Sequence, residues 1–152
     1  MNALNSETVG EREISYVRVL DAPRAIVWSA WSDPEHLTRW WGPDGFTNTF
    51  HEFDFRPGGN WRFIMHGPNG MDFPNHNVFV EIRQPELIVI DHVVEPLFRL
   101  RATFEDLGGK TKITFTQVFE SAEVWEQAKP YAIPGARQTL QRLADLVATL
   151  AR

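Results

Sequence analysis

The 152-residue sequence contains no cysteine, which removes disulfides, thiolate metal sites and cysteine nucleophiles from consideration. It has no run of lysine or arginine, and its formal net charge is −5. Neither nucleic acid nor an anionic membrane surface is therefore an expected partner. No stretch approaches the roughly 20 consecutive apolar residues that cross a bilayer. The opening MNALNSETVGER lacks the basic start and apolar centre of a secretory signal, so a soluble cytoplasmic protein is the expectation. The histidines, at 36, 51, 66, 76 and 92, show neither His-x-x-x-His nor His-Glu-x-x-His spacing, and no metal is expected. A G-x-S-x-G elbow and a phosphate-binding glycine loop are also missing; RPGGN and PNG read as turns. No cofactor is expected.

What the chain has in quantity is aromatic surface. Six Trp and eleven Phe each bring ~150–250 Å² that can be buried. Trp40 and Trp41 are adjacent in what reads as a helix, where neighbouring side chains point about 100° apart. One core does not easily hold both rings. Trp40 is expected inside and Trp41 at the rim of a cavity.

Residues 1–11 are polar and unpatterned, a frayed tail, and residues 12–152 form one domain. REISYVRVLDA reads as a strand. Pro23 opens a short helix, and Asp33-Pro34-Glu35 caps a second that stops at Gly42-Pro43. From Phe46 to Phe119 the period becomes two, with strands at about 46–56, 60–66, 72–83, 87–95, 97–106 and 110–119. With the first, that makes seven. Ser121 caps a short helix through Ala128, and a longer one begins at Pro134 with an apolar stripe of Ala136, Leu140, Leu143, Val147 and Leu150. The order β-α-α-β6-α predicts an α+β fold in which a curved antiparallel sheet grips the C-terminal helix, with a pocket in the gap between them.

Side chains alternate along a strand, so charged positions mark the wet face. Glu52 and Asp54 place His51, Phe53 and Phe55 inside. Arg62 and His66 place Trp61, Phe63 and Met65 inside. Glu81 and Arg83 send His76, Val78, Val80 and Ile82 inward, for a strand without a bulge. The same reasoning turns Ile88, Ile90, His92, Phe98, Leu100, Ala102, Phe104, Ile113, Phe115, Gln117 and Phe119 inward. The result is an aromatic concave face carrying four polar groups: His51, His76, His92 and Gln117. A buried polar group without a partner costs ~1–3 kcal/mol. These four need each other, water or a ligand.

APRAIVWSAWSDPEHLTRWWGP, FDFRPGGNWRF, EIRQPELIVI and GARQTLQRL resemble, in order, signatures of the activator of heat-shock-protein-90 ATPase homologue family. That family sits within the START-like, polyketide-cyclase/ligand-transport superfamily. The resemblance runs from Ile14 to Leu150 and implies a helix-grip fold with a hydrophobic pocket whose mouth Trp40 and Trp41 help to close. Family members often carry an aromatic where Ala136 stands; the smaller residue enlarges the cavity or admits Tyr131. The expected ligand-binding residues are Trp40, Trp41, His51, Phe53, Trp61, Phe63, His76, His92, Phe98, Gln117 and Leu140. The leading function is non-enzymatic binding of a small, mainly hydrophobic or aromatic molecule. One alternative is an enzyme of cyclase, dehydratase or hydrolase type, with His51, His76 or His92 as acid/base. Another is a stress-related interaction domain that modulates a chaperone ATPase. A homodimer and a chaperone join the small ligand as candidate partners.

Overall fold

In the computed structural model, which describes residues 5–152, the polypeptide enters through a sheet edge. Strand β1 (Ser6–Val9) pairs with β2 (Glu13–Leu20), Ser6 opposite Val17 and Val9 opposite Ile14. Two short helices follow, α1 (Arg24–Ser32) and α2 (Pro34–Trp40). Asp33 ends the first and starts the second: its backbone N–H donates to the Ser29 carbonyl, and its side chain accepts from Glu35 N–H. Pro34 loses nothing at the first helical position, where its missing N–H has no intrahelical partner. The chain then builds β3 (Thr47–Phe53), β4 (Asn60–His66), β5 (Asp72–Arg83), β6 (Leu87–His92), β7 (Phe98–Asp106) and β8 (Thr111–Phe119), and finishes in α3 (Ala122–Leu150).

The strands form one curved, open, antiparallel sheet in the order β1-β2-β8-β7-β6-β5-β4-β3. Helix α3 lies against its concave face with α1 and α2 beside it. Among the described residues there are thus eight strands, not seven. The additional one lies inside the stretch expected to fray, and residues 1–4 of that stretch lie outside the described residues. Ser6–Val9 has no apolar alternation to betray it. It is held by its pairing with β2 and by the Arg137 guanidinium on α3, which donates twice to the Glu7 carboxylate at 2.8 and 2.7 Å.

Helix α3 also departs from the expectation of two helices. It runs unbroken for 29 residues through Pro130 and Pro134. Each proline forfeits one backbone bond. Burial of Trp125, Ala128, Ala136, Leu140, Leu143 and Val147 along one side keeps the two halves in line. Among the described residues, no helix is long and apolar enough to cross a membrane.

Two strands change phase. The β3–β4 register shifts between Phe50 and Glu52, and the β5–β6 register shifts between Phe79 and Glu81. A bulge inserts one residue and moves everything beyond it to the opposite face. In β5 the concave residues are therefore Asn75, Asn77 and Phe79 before the bulge and Ile82 after it, whereas His76 and Val78 lie on the convex side. In β3, Phe50 and Phe53 pack inward and His51 is exposed. The inward assignments of His51, His76, Val78 and Val80 are corrected accordingly.

Candidate functional site

Aromatic rings fill the part of the concave face beneath α1 and α2. Trp31 meets Trp40 at 4.9 Å between ring centroids, Phe104 at 5.7 Å and Trp41 at 6.0 Å, all edge to face. Trp40 is fully buried, its Nε1–H donating to the Ala30 carbonyl at 2.8 Å. Trp41 covers Trp61 at 4.8 Å with one side of its ring. It also forms part of the wall of a cavity of about 910 Å³ that occupies the rest of the concave face.

The floor of this cavity is a pair of cross-strand rows. In one, Asn77 stands opposite His92, His92 opposite Phe98, and Phe98 opposite Phe119. In the next, Leu100 stands opposite Gln117. Phe63, Met65, Phe73 and Asn75 continue the lining toward β4, and the loop Trp41–Phe46 closes one side. The roof is the stretch of α3 from Pro130 to Thr139, where Ala132, Gly135, Ala136 and Thr139 present only short side chains. A helix whose underside is short over a concave sheet leaves space. Tyr131 does not fill that space; it is 59% exposed at the rim.

The wall loop has its own support. From α3, the Arg142 guanidinium donates to the carbonyls of Arg39, Trp41, Gly42, Pro43 and Phe46 at 2.8–3.4 Å. Gly42 has φ +103°, and a Cβ there would stand 2.8 Å from the Met65 methyl, so the turn after the tryptophan doublet requires glycine. Asn48 adds a bond from Nδ2 to the Trp41 carbonyl at 2.8 Å.

The polar groups of the floor are unevenly satisfied. His92 is 8% exposed and stacked on Phe98, ring centroids 4.5 Å apart. Its Nδ1 donates to the Pro96 carbonyl at 2.7 Å, and its Nε2 lies 2.7 Å from Asn75 Oδ1. Asn75 Nδ2 is in turn held by the Phe73 carbonyl at 2.9 Å. Two acceptors flank one imidazole, an arrangement that favours its charged form, whereas burial opposes charge. Burial is the larger effect: it holds the His92 pKa below the ordinary histidine value, against the Pro96 carbonyl and with a smaller contribution from His76. Asn77 is 2% exposed, and its Oδ1 has no hydrogen-bond partner among the described residues; Gln117 Oε1 has none either. No group of three or more His, Asp or Glu side chains converges as metal ligands would among the described residues.

Of the residues expected to bind ligand, Trp41, Phe63, His92, Phe98 and Gln117 line the cavity together. Trp40, Phe53 and Trp61 belong to the packed aromatic cluster instead. Leu140 is buried beneath α3 and faces a smaller recess of about 380 Å³ beside Tyr16 and Arg137. His51 is exposed on β3, and His76 bonds Asn60 Oδ1 at 2.9 Å on the convex side. Sequence reasoning missed Asn75, Asn77, Phe46 and Phe73 in the lining, and Arg142 behind it. A signal for the asparagines was present. Phe79 and Ile82, both apolar and three residues apart around Glu81, do not share one face of a regular strand, and the same holds for Phe50 and Phe53.

The fold recurs in solved structures. A protein of Arthrobacter aurescens is 26% identical, with a TM-score of 0.90 over 97% of this chain and 93% of its own. A protein of Nitrosomonas europaea is 20% identical, with a TM-score of 0.84 over 95% of this chain and 99% of its own. An AHSA1-like protein of Aeromonas hydrophila is 19% identical, with a TM-score of 0.74 over 91% of this chain and 93% of its own. No curated protein matches the sequence. The family described as Activator of Hsp90 ATPase homolog 1-like protein matches residues 21–148, from the approach to α1 almost to the end of α3. With that match spanning both short helices, the gripping sheet and the helix it holds, the chain belongs to the Activator of Hsp90 ATPase homolog 1-like family and has its START-like helix-grip fold.

Proposed function

We propose that this protein binds a small, mainly aromatic or hydrophobic molecule in the cavity between the sheet and α3. The observation that carries this reading is an aromatic cavity of about 910 Å³ on whose floor Asn77 and Gln117 each keep a carboxamide oxygen with no partner among the described residues. Ligand sites of ~300–1,000 Å³ with apolar walls and a few fixed polar groups are the usual form of small-molecule pockets. A ligand burying ~300 Å² of apolar surface there gains roughly 7 kcal/mol before the entropic cost of binding.

Native mass spectrometry of protein purified from its host tests the reading, together with titration of tryptophan fluorescence by a panel of aromatic compounds. The expected result is a co-purifying small molecule or saturable quenching by at least one compound class. A chain that is always empty, and whose tryptophan emission no compound changes, overturns it.

Catalysis has less support. A general acid or base needs a free proton position facing substrate, and both His92 nitrogens are already engaged by Pro96 and Asn75. His51 and His76 lie outside the cavity. A chaperone contact would use the outer surface. Of the exposed large apolar residues, Val9, Val80 and Leu107 stand on β1, on β5 and in the β7–β8 turn, Val93 follows β6, and Met71, Phe73 and Tyr131 complete the set, Phe73 and Tyr131 at the cavity rim.

A further inference from the structure

Three polar contacts run in series from the floor of the cavity to its rim. The Pro96 carbonyl lies 2.7 Å from His92 Nδ1, His92 Nε2 lies 2.7 Å from Asn75 Oδ1, and Asn75 Nδ2 lies 2.9 Å from the Phe73 carbonyl. Both ends of the series are backbone acceptors, and Asn75 offers its oxygen to the ring. Making all three bonds takes a hydrogen on each ring nitrogen, which only the imidazolium has. A neutral ring is one hydrogen short, so one link gives way.

Burial keeps the His92 ring neutral at neutral pH and above. On β5 its neighbours are Asn75 and Asn77, with His76 on the convex side. On β7, Phe98 covers the ring, while Arg99 pairs with Asp91 on the other face of the sheet. The β6–β7 loop brings Glu95, and α3 brings Tyr131. Asp72 pairs with His66 on the convex side.

Of the two acceptors beside the ring, Pro96 contributes backbone from the short β6–β7 connection, whereas Asn75 contributes a side chain that can turn. In the neutral protein Nδ1 therefore keeps its hydrogen for Pro96, and the Asn75 carboxamide turns over to give Nδ2 to Nε2. That turn sets Oδ1 against the Phe73 carbonyl, acceptor against acceptor, so the oxygen leaves it for the cavity that Asn75 lines. Phe73 is 40% exposed at the rim, where water replaces the lost donor. We infer that Asn75 determines specificity in this cavity: with His92 neutral, its carboxamide oxygen accepts a hydrogen bond from an O–H or N–H of the ligand, and protonation of His92 withdraws it. This inference rests on the binding reading above and adds to it a donor on the occupant and a loss of affinity in acid.

Calorimetric titration with β-naphthol and its methyl ether, from about pH 7.5 down to about pH 4.5, tests it. Both probes are uncharged throughout, because a phenol ionises near pH 10, and only the naphthol can donate. At the upper pH the naphthol binds about fivefold more tightly than the ether, the net value of one hydrogen bond. Nitrogen-15 spectra of the imidazole show the Nδ1–H form there, and as they show the ring becoming charged the naphthol advantage falls toward one. Asn75→Leu binds both probes alike at every pH, and His92→Gln gives a ratio that pH does not change; circular dichroism checks that each variant is folded. Equal binding of the two probes at the upper pH overturns the inference. So does an advantage that survives Asn75→Leu, one that persists once the ring is charged, or a ring that never becomes charged while the protein stays folded. Binding of the ether in any of these cases still supports the cavity as a binding site. If neither probe binds, the inference falls and the binding reading loses support with it.

Discussion

Removing the Arg142 side chain should loosen one wall of the cavity and lower the stability of the whole domain. Its guanidinium donates to Arg39, Trp41, Gly42, Pro43 and Phe46 carbonyls at 2.9, 3.4, 2.8, 3.0 and 3.1 Å. No carboxylate pairs with it among the described residues. Hydrogen bonds from a charged donor are worth ~1.5–3 kcal/mol each when fully buried. Arg142 is only half-buried, and water can take over part of each bond, which reduces the contribution to about 0.5–1 kcal/mol apiece. Arg142→Ala therefore costs about 3–4 kcal/mol, a Tm drop of roughly 6–16 °C for a domain of this size. Arg142→Lys keeps the charge but presents three donors from a single point, so it recovers less than half of the loss. Urea unfolding followed by tryptophan emission gives the free energies, and near-ultraviolet circular dichroism reports the packing of the tryptophan cluster that includes Trp41. A loss below about 0.5 kcal/mol for the alanine variant, or a lysine variant equal to the parent, would refute the account of this clamp.

Asn77→Leu replaces a buried carboxamide whose oxygen has no partner among the described residues with an apolar side chain of similar size, and denaturant titration should show the empty protein stabilised by about 1 kcal/mol. Ala136→Phe places a ring in the roof of the cavity; the domain remains folded by circular dichroism, while affinity for an aromatic probe falls at least about tenfold as the space is filled. Stability should also depend on pH through His92. Its folded pKa lies below the ordinary 6.5, so the unfolded chain binds more protons between the two values. The contribution is complete above about pH 6.5 and is lost as pH falls through the folded value. His92→Gln should flatten the curve of unfolding free energy across that range.

Where alternation is unbroken, the floor of the site could be read from the residues alone. His92, Phe98, Leu100, Gln117 and Phe119 occupy the inward positions that their charged neighbours imply, and these make the two rows beneath the helix. The helix pair was equally legible, because Asp33 and Pro34 act through local hydrogen bonding. Strands β3 and β5 were not read correctly. A single inserted residue reverses the face of everything beyond it, and its cause lies in the pairing with a neighbouring strand. That reversal exchanged His76 for Asn75 and Asn77, the groups that give the floor its polar character. Arg142 was invisible for a similar reason: its targets lie about a hundred residues earlier, and they are carbonyls, which every residue possesses. Strand β1 pairs with its neighbour β2, but its side-chain anchor is as distant, Glu7 meeting Arg137 across most of the chain.

Pro130 and Pro134 are part of α3 and of the cavity boundary at once. Neither has an amide hydrogen, so the carbonyls one turn earlier, on Glu126 and on Pro130 itself, lack their usual backbone rung. A rod missing two rungs in succession flexes there at lower cost than along the continuous ladder that runs on to Leu150. The soft stretch is the one suspended above the vacant space, while the stiff stretch anchors the clamp on the tryptophan loop. Under the proposed binding role, admission of a bulky guest bends a weakened beam rather than melting the framework that holds it.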